Sequence, residues 1–147
     1  MENIRPRINC ILCPLVFLSH DNLYSSSMTD QVITDLEWQK NVLATLSSLA
    51  SASQTITYAD LADLARIPLP HRIHKLVTFL EKLIADDVTE ARPIRAAVVV
   101  SKRDHGLPAD GFFDCCLANG LTSHPNESRA IFHSRLLAAV FSNQSAL

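Results

Sequence analysis

The sequence predicts a mainly α fold, and three observations carry the prediction. Apolar residues recur at helical spacing through most of the chain after Met28. Only 3 glycines are present and aromatics make up 6%, which disfavours a turn-rich barrel or sandwich. One short β-branched run, Ile94 to Val100, is the single convincing strand. Between Thr55 and Phe113 the order is a short helix, a turn, a longer helix, a loop, that strand and a polar turn. This is the order of a helix-turn-helix followed by a short strand and wing, so the expected core is winged-helix-like, with flanking N- and C-terminal helices.

At 147 residues, 48% of them apolar, the chain is long enough to bury a real core. Its mean hydropathy of +0.13 argues against global disorder. Net charge is -2, so any attraction for nucleic acid must come from a local patch. The four cysteines are Cys10, Cys13, Cys115 and Cys116. A vicinal pair is poor disulfide geometry, and the spacing fits no secreted framework. A reducing, cytoplasmic compartment is therefore expected.

Residues 1–27 read as an arm, and residues 28–147 as a single winged-helix-like domain. The arm has Arg5 and Arg7, then ILCPLVFL, then polar HDNLYSSS before Met28. Three readings stay open: an over-extended reading of the gene, a structured or disordered arm, or a targeting segment. Pro14 interrupts the apolar run, which is far short of the ~20 residues of a membrane span. Cys10-x-x-Cys13 lacks a second pair at zinc-ribbon spacing, so no metal is assigned to it.

The first helix follows Thr29 or Asp30 as a cap. Its expected stripe is Val32, Ile33, Leu36, Leu43, Leu46 and Ala50, with Trp38 and Val42 beside it. Thr57 is a good N-cap for the next helix, and Asp60 stands where a capping box places its acid. Leu61, Ala62, Leu64 and Ala65 give that helix an apolar face. Ile67-Pro68-Leu69-Pro70 stops it, since each proline disfavours helix at the preceding residue. Pro70 is expected to open the longer helix. Ile73, Leu76, Val77, Leu80, Leu83 and Ile84 form its apolar stripe, and His71, Arg72, His74 and Lys75 begin the opposite face. From Arg66 to Lys82 the chain carries four cations, Arg66, Arg72, Lys75 and Lys82, against the one acid Glu81.

After the loop and strand, Lys102 and Arg103 form a basic tip. Leu107-Pro108 starts an irregular return, Asp110 caps a short helix FFDCCLANG, and Gly120 ends it in the left-handed region. Pro125 opens the last helix, with Ile131, Leu137, Val140 and Phe141 near one face, Phe132 and Leu136 flanking it, and the first helix as its expected partner.

No nucleotide-binding loop, nucleophile elbow or H-E-x-x-H pattern is present. His71 and His74 have the spacing of metal ligands on a helix, but no cysteine or carboxylate completes a set, so no metal and no cofactor are expected. Cys115 or Cys116 near a helix start could act as a nucleophile with His105 or His124. The plainer reading is a cysteine buried in a packing helix, and no enzymatic activity is expected.

The segments TITYADLADLA, HRIHKL and PIRAAVVVS, followed by a turn ending in GFF, resemble the DNA-binding domain of O6-alkylguanine alkyltransferases and of alkyltransferase-like proteins. That family runs from a T-Y-G-E-(I/L)-A helix to an A-R-A-V-G recognition helix, then P-C-H-R and a glycine-rich wing. The resemblance implies that Tyr58 matches the tyrosine crowding the DNA backbone. It likewise implies that Arg72 matches the arginine inserted where a base is rotated out. Where the family has P-C-H-R, this chain has Arg95-Ala96-Ala97-Val98, and its loop DDVTEARP is longer, so methyl transfer is not expected. The body of the chain is also similar to small uncharacterised bacterial proteins of winged-helix type. The expected function is non-catalytic DNA binding through Tyr58, His71, Arg72, His74, Lys75, Lys102 and Arg103, with no membrane association. The alternative is a protein-interaction winged helix that docks an acidic partner or forms a dimer.

Overall fold

The computed structural model describes residues 33–143. The arm 1–27 with Cys10 and Cys13, the boundary at Met28, and the cap read at Thr29 or Asp30 lie outside the described residues. The elements are α1 (Asp35–Ser51), β1 (Ile56–Thr57), α2 (Tyr58–Leu64), α3 (Arg72–Thr89), a 3-10 turn (Arg95–Val98), β2 (Val99–Val100), α4 (Asp110–Ala118) and α5 (Arg129–Ser142). The protein is mainly α, as the periodicity predicts.

At the centre of the fold lies the 3-10 turn. It packs against α1, α3 and α5, and Ala96, Ala97, Val98 and Val99 are buried. The expected strand from Ile94 is thus corrected to Val99–Val100 alone. The physical reason is the demand for backbone partners. Helices surround Arg95–Val98, so no neighbouring strand can take its peptide groups, and each buried group needs one. Local 3-10 bonds, the carboxylate of Asp87 on Arg95 N–H (3.0 Å) and the ring of His133 on Ala97 O (2.7 Å) supply them instead. A carbonyl only accepts, so Nε2 of His133 carries the proton. Burial pushes the pKa of this histidine down, against the opposing pull of the Ala97 carbonyl.

The two strands pair in parallel, Ile56 with Val99 and Thr57 with Val100. Parallel pairing requires a crossover, and α2, α3 and the 3-10 turn form it. The basic tip at Lys102-Arg103 is therefore not the end of an antiparallel hairpin. It belongs to a loop closed by Ser101 N–H on Leu107 O at 2.7 Å, after which the chain enters α4.

Several helix details differ from expectation. In α1 the buried face is Trp38, Val42, Leu46 and Ala50, while Leu36 is exposed. Trp38 meets Phe79 of α3 edge to face, with ring centres 5.5 Å apart, and this contact sets the phase of the stripe. In α5 the inner face is Phe132, His133, Leu136 and Val140, and Ile131 faces solvent. The helix turns this way because His133 must reach Ala97. It begins at Arg129 with Ser128 as N-cap, not at Pro125. Helix α3 begins at Arg72, not Pro70, because His71 has a left-handed backbone (φ 59) that ends helical geometry on its N-terminal side. Asp110 is the first residue of α4 rather than its cap. Ala109 holds the cap position, and the Asp110 carboxylate pairs with Arg129. Thr57 does cap α2: its hydroxyl accepts from Asp60 N–H (3.2 Å) and donates to the Asp60 carboxylate (2.7 Å).

Four of the five described helices stop in the same way. A residue in the left-handed region follows the cap, at Ser53, Arg66, Ala91 and Gly120. The next N–H reaches back five residues, as from Ile67 to Ala62 O (3.1 Å) and from Arg92 to Asp87 O (2.8 Å). Only Gly120 matches the sequence signal for such a stop, because the chain is poor in glycine.

Asp87 is the one fully buried carboxylate among the described residues, with 0% exposure. It receives Arg95 N–H, Arg95 Nε (3.0 Å) and Arg95 Nη2 (2.6 Å), and Arg92 Nε lies 3.4 Å away. Removing one partner of a buried pair leaves an uncompensated charge and costs about 3–5 kcal/mol. Asp87→Asn should lower the unfolding free energy in urea by about that amount. The exposed neighbour change Asp86→Asn should stay within about 0.5 kcal/mol, so equal effects at both positions would refute the role given to Asp87.

Candidate nucleic-acid interface

The seven expected contact residues do not form one patch. Tyr58, Lys102 and Arg103 line a shallow groove with Thr57, Ile73 and Ser101, where the start of α2, the first turn of α3 and the loop 101–107 meet. His74 and Lys75 line a different groove, between α1 and α3, together with Trp38, Phe79 and Lys82. His71 and Arg72 stand at the start of α3. His71 is exposed, and its contribution to the helix is a carbonyl that accepts from Lys75 N–H (3.0 Å).

The two cations in the first turn of α3 already have partners. The guanidinium of Arg72 pairs with the Asp63 carboxylate of α2. Lys75 Nζ donates to Pro68 O at 3.0 Å, tying the helix to the turn before it. Lys102 and Arg103 are exposed and make no ion pair among the described residues; only the Arg103 backbone N–H is engaged, donating to Ser101 Oγ (3.2 Å). Tyr58 has a structural partner as well. Its hydroxyl oxygen accepts from Ala109 N–H (3.4 Å), linking α2 to the segment that opens α4, and burial raises its pKa.

Sequence reasoning missed Asp63, Asp87 and His133. Asp63 stands on the polar side of a short helix, where the pattern predicts only solvent, and nothing local couples it to a residue nine positions later. His133 sits among apolar neighbours, and that placement is the one signal that could have marked it as buried.

The thiols lie in the second half of α4, not at its start, so the helix N-terminus does not activate them. Cys115 Sγ contacts Glu81 O (3.7 Å) and Asn119 Nδ2 (3.5 Å). Burial pushes both up, Cys116 to about 12, which disfavours the thiolate needed of a nucleophile. Among the described residues no three His, Cys, Asp or Glu side chains gather as a metal site would require. No described helix is long and apolar enough to cross a membrane.

Glu127 precedes α5 and is gripped by Arg135 through both carboxylate oxygens (3.0 Å each) and by His124 N–H (2.8 Å). The Arg135 hydrogen bonds, then that of His124, hold its carboxyl down at about 2 against an ordinary 4.5. A carboxylate with a lowered folded-state pKa contributes stability above its unfolded value and loses it on acidification. Glu127→Gln should therefore lower the melting temperature at neutral pH. The difference from the parent protein should close as pH falls from 4.5 through about 2, followed by circular dichroism. A difference unchanged across that window would show that the charge plays no part.

Compared with protein-family models, with curated proteins and with solved structures, the chain matches none.

Proposed function

We propose that this protein is a non-catalytic DNA-binding protein with a winged-helix-like core. In this reading the first turn of α3 faces the duplex and the loop 101–107 serves as the wing. The observation that carries the proposal is the pair Lys102 and Arg103, exposed and without an acidic partner among the described residues, on the rim of the groove at the start of α3. In a chain of net charge -2, cations free for phosphate are few, and these two stand together on a short closed loop. They would position the protein by phosphate contact, and Ile73 and Tyr58 would set the shape of the groove behind them. Arg66, exposed at the end of α2, adds a third cation near the same turn.

A second reading has its own observation. Leu64 is 63% exposed, Leu69 78% and Ile73 40%, so the α2–α3 turn carries an apolar rim. An apolar rim suits a protein partner better than a phosphate backbone.

Salt dependence separates the two. Binding to a fluorescein-labelled mixed-sequence duplex, followed by anisotropy, should weaken with salt at a log-log slope of roughly -0.9 per neutralised phosphate. The double change Lys102→Glu and Arg103→Glu should weaken binding and flatten that slope by about 2. Absence of binding by the parent protein would overturn the proposal. A salt-independent affinity sensitive to Leu69→Ser would favour the protein-docking reading.

A further inference from the structure

We infer that Asp63 is an internal competitor for the phosphate-binding surface: its carboxylate holds Arg72, and a bound nucleic-acid phosphate displaces it. This rests on the DNA-binding reading above and adds a residue that controls its affinity. Arg72 is the first residue of α3, beside Ile73 of the groove, and its Nη1 pairs with Asp63 Oδ1 of α2. Both side chains remain open to water, 36% exposed for Arg72 and 57% for Asp63. Such a pair is weak, so an incoming anion can exchange with it. A phosphodiester presents the same acceptor chemistry as the carboxylate: anionic oxygens matched to the guanidinium fork. Lys75 is held differently, by the neutral carbonyl of Pro68 inside the turn, and offers no equivalent exchange. Arg72 is thus the residue on this helix whose availability is set by one replaceable anion.

The arrangement has a functional consequence. With Asp63 in place, the charge of Arg72 is offset toward a distant duplex, and binding begins at Lys102 and Arg103. Once a phosphate lies close, Arg72 can change partners, so the contact forms only when the duplex seats on the groove. The carboxylate also selects against weakly bound anions that cannot displace it.

The test is a double-mutant cycle read by anisotropy with the labelled duplex. Asp63→Asn should tighten binding about two- to fivefold, the range corresponding to an exposed ion pair, and leave the salt slope nearly unchanged, because Arg72 meets a phosphate in both complexes. In an Arg72→Gln background the same change should have no effect on affinity, because the competitor then has nothing to withhold. An equal gain in both backgrounds would reduce Asp63 to a general negative charge and overturn the inference, as would no gain with the parent Arg72. Asp63→Ser, which also removes the carboxylate, should reproduce Asp63→Asn; a gain limited to one of them would likewise overturn it. Absence of binding by all variants and by the parent protein would remove the DNA-binding reading and this inference together, and is distinguishable from binding that Asp63 does not control.

Discussion

The buried carboxylate of Asp87 is the constraint on which the other contacts converge. It lies at the C-terminal end of α3, and both of its polar ends are occupied. Its backbone carbonyl receives Arg92 N–H and closes the helix, while its side chain takes the backbone and guanidinium of Arg95. The chain therefore leaves α3 in a fixed direction, with Arg95 anchored at the start of the 3-10 turn. That turn then places Ala96 to Val99 where α1, α3 and α5 meet, and Val99–Val100 beside Ile56–Thr57. A buried ion pair contributes little net stability against an apolar substitute, but a broken one costs several kcal/mol. Its value here is to fix one path for the chain through the core.

The arginines divide by role. Arg92 and Arg95 serve Asp87, Arg129 joins Asp110 while lying over the Phe113 ring, and Arg135 grips Glu127 while lying over Phe132. These four connect successive elements and face carboxylates of the chain itself. Arg72 is paired but exposed, and Lys102 and Arg103 are exposed and unpaired among the described residues. A count of positive charge along the sequence thus overstates what a partner can use. Beside the groove at the start of α3, the cations open to an anion are Lys102 and Arg103, while Arg72 is held by Asp63.

The helix stops show a related economy of means. Left-handed backbone at Ser53, Arg66 and Ala91 costs each of these residues some steric strain, which glycine would avoid. The six-residue closing bonds and the packing of the following residue, such as buried Ile67, compensate locally. These stops place α2 and α3 across a short turn whose apolar residues Leu64 and Leu69 remain in water. Backbone bonds close both ends of the turn, Ile67 N–H on Ala62 O and Lys75 N–H on His71 O.

The sequence by itself determined the helical class, the N-cap at Thr57, the stop at Gly120 and the apolar content of each helix. These depend on residues within a turn or two of one another, where period, capping chemistry and proline restrictions act directly. Tertiary structure decided the inward phase of α1 and α5, with Leu36 and Ile131 outside and His133 inside, whereas Leu76, Leu80, Leu83 and Ile84 of α3 are buried as their spacing predicts. It decided that an alanine-rich apolar run is a 3-10 turn, because helices rather than strands surround it. It also decided which cations remain available, because Arg72 meets Asp63 and Arg95 meets Asp87 only when distant elements pack. Local patterns specify what a residue can do; the partner that fixes what it does arrives from elsewhere in the chain.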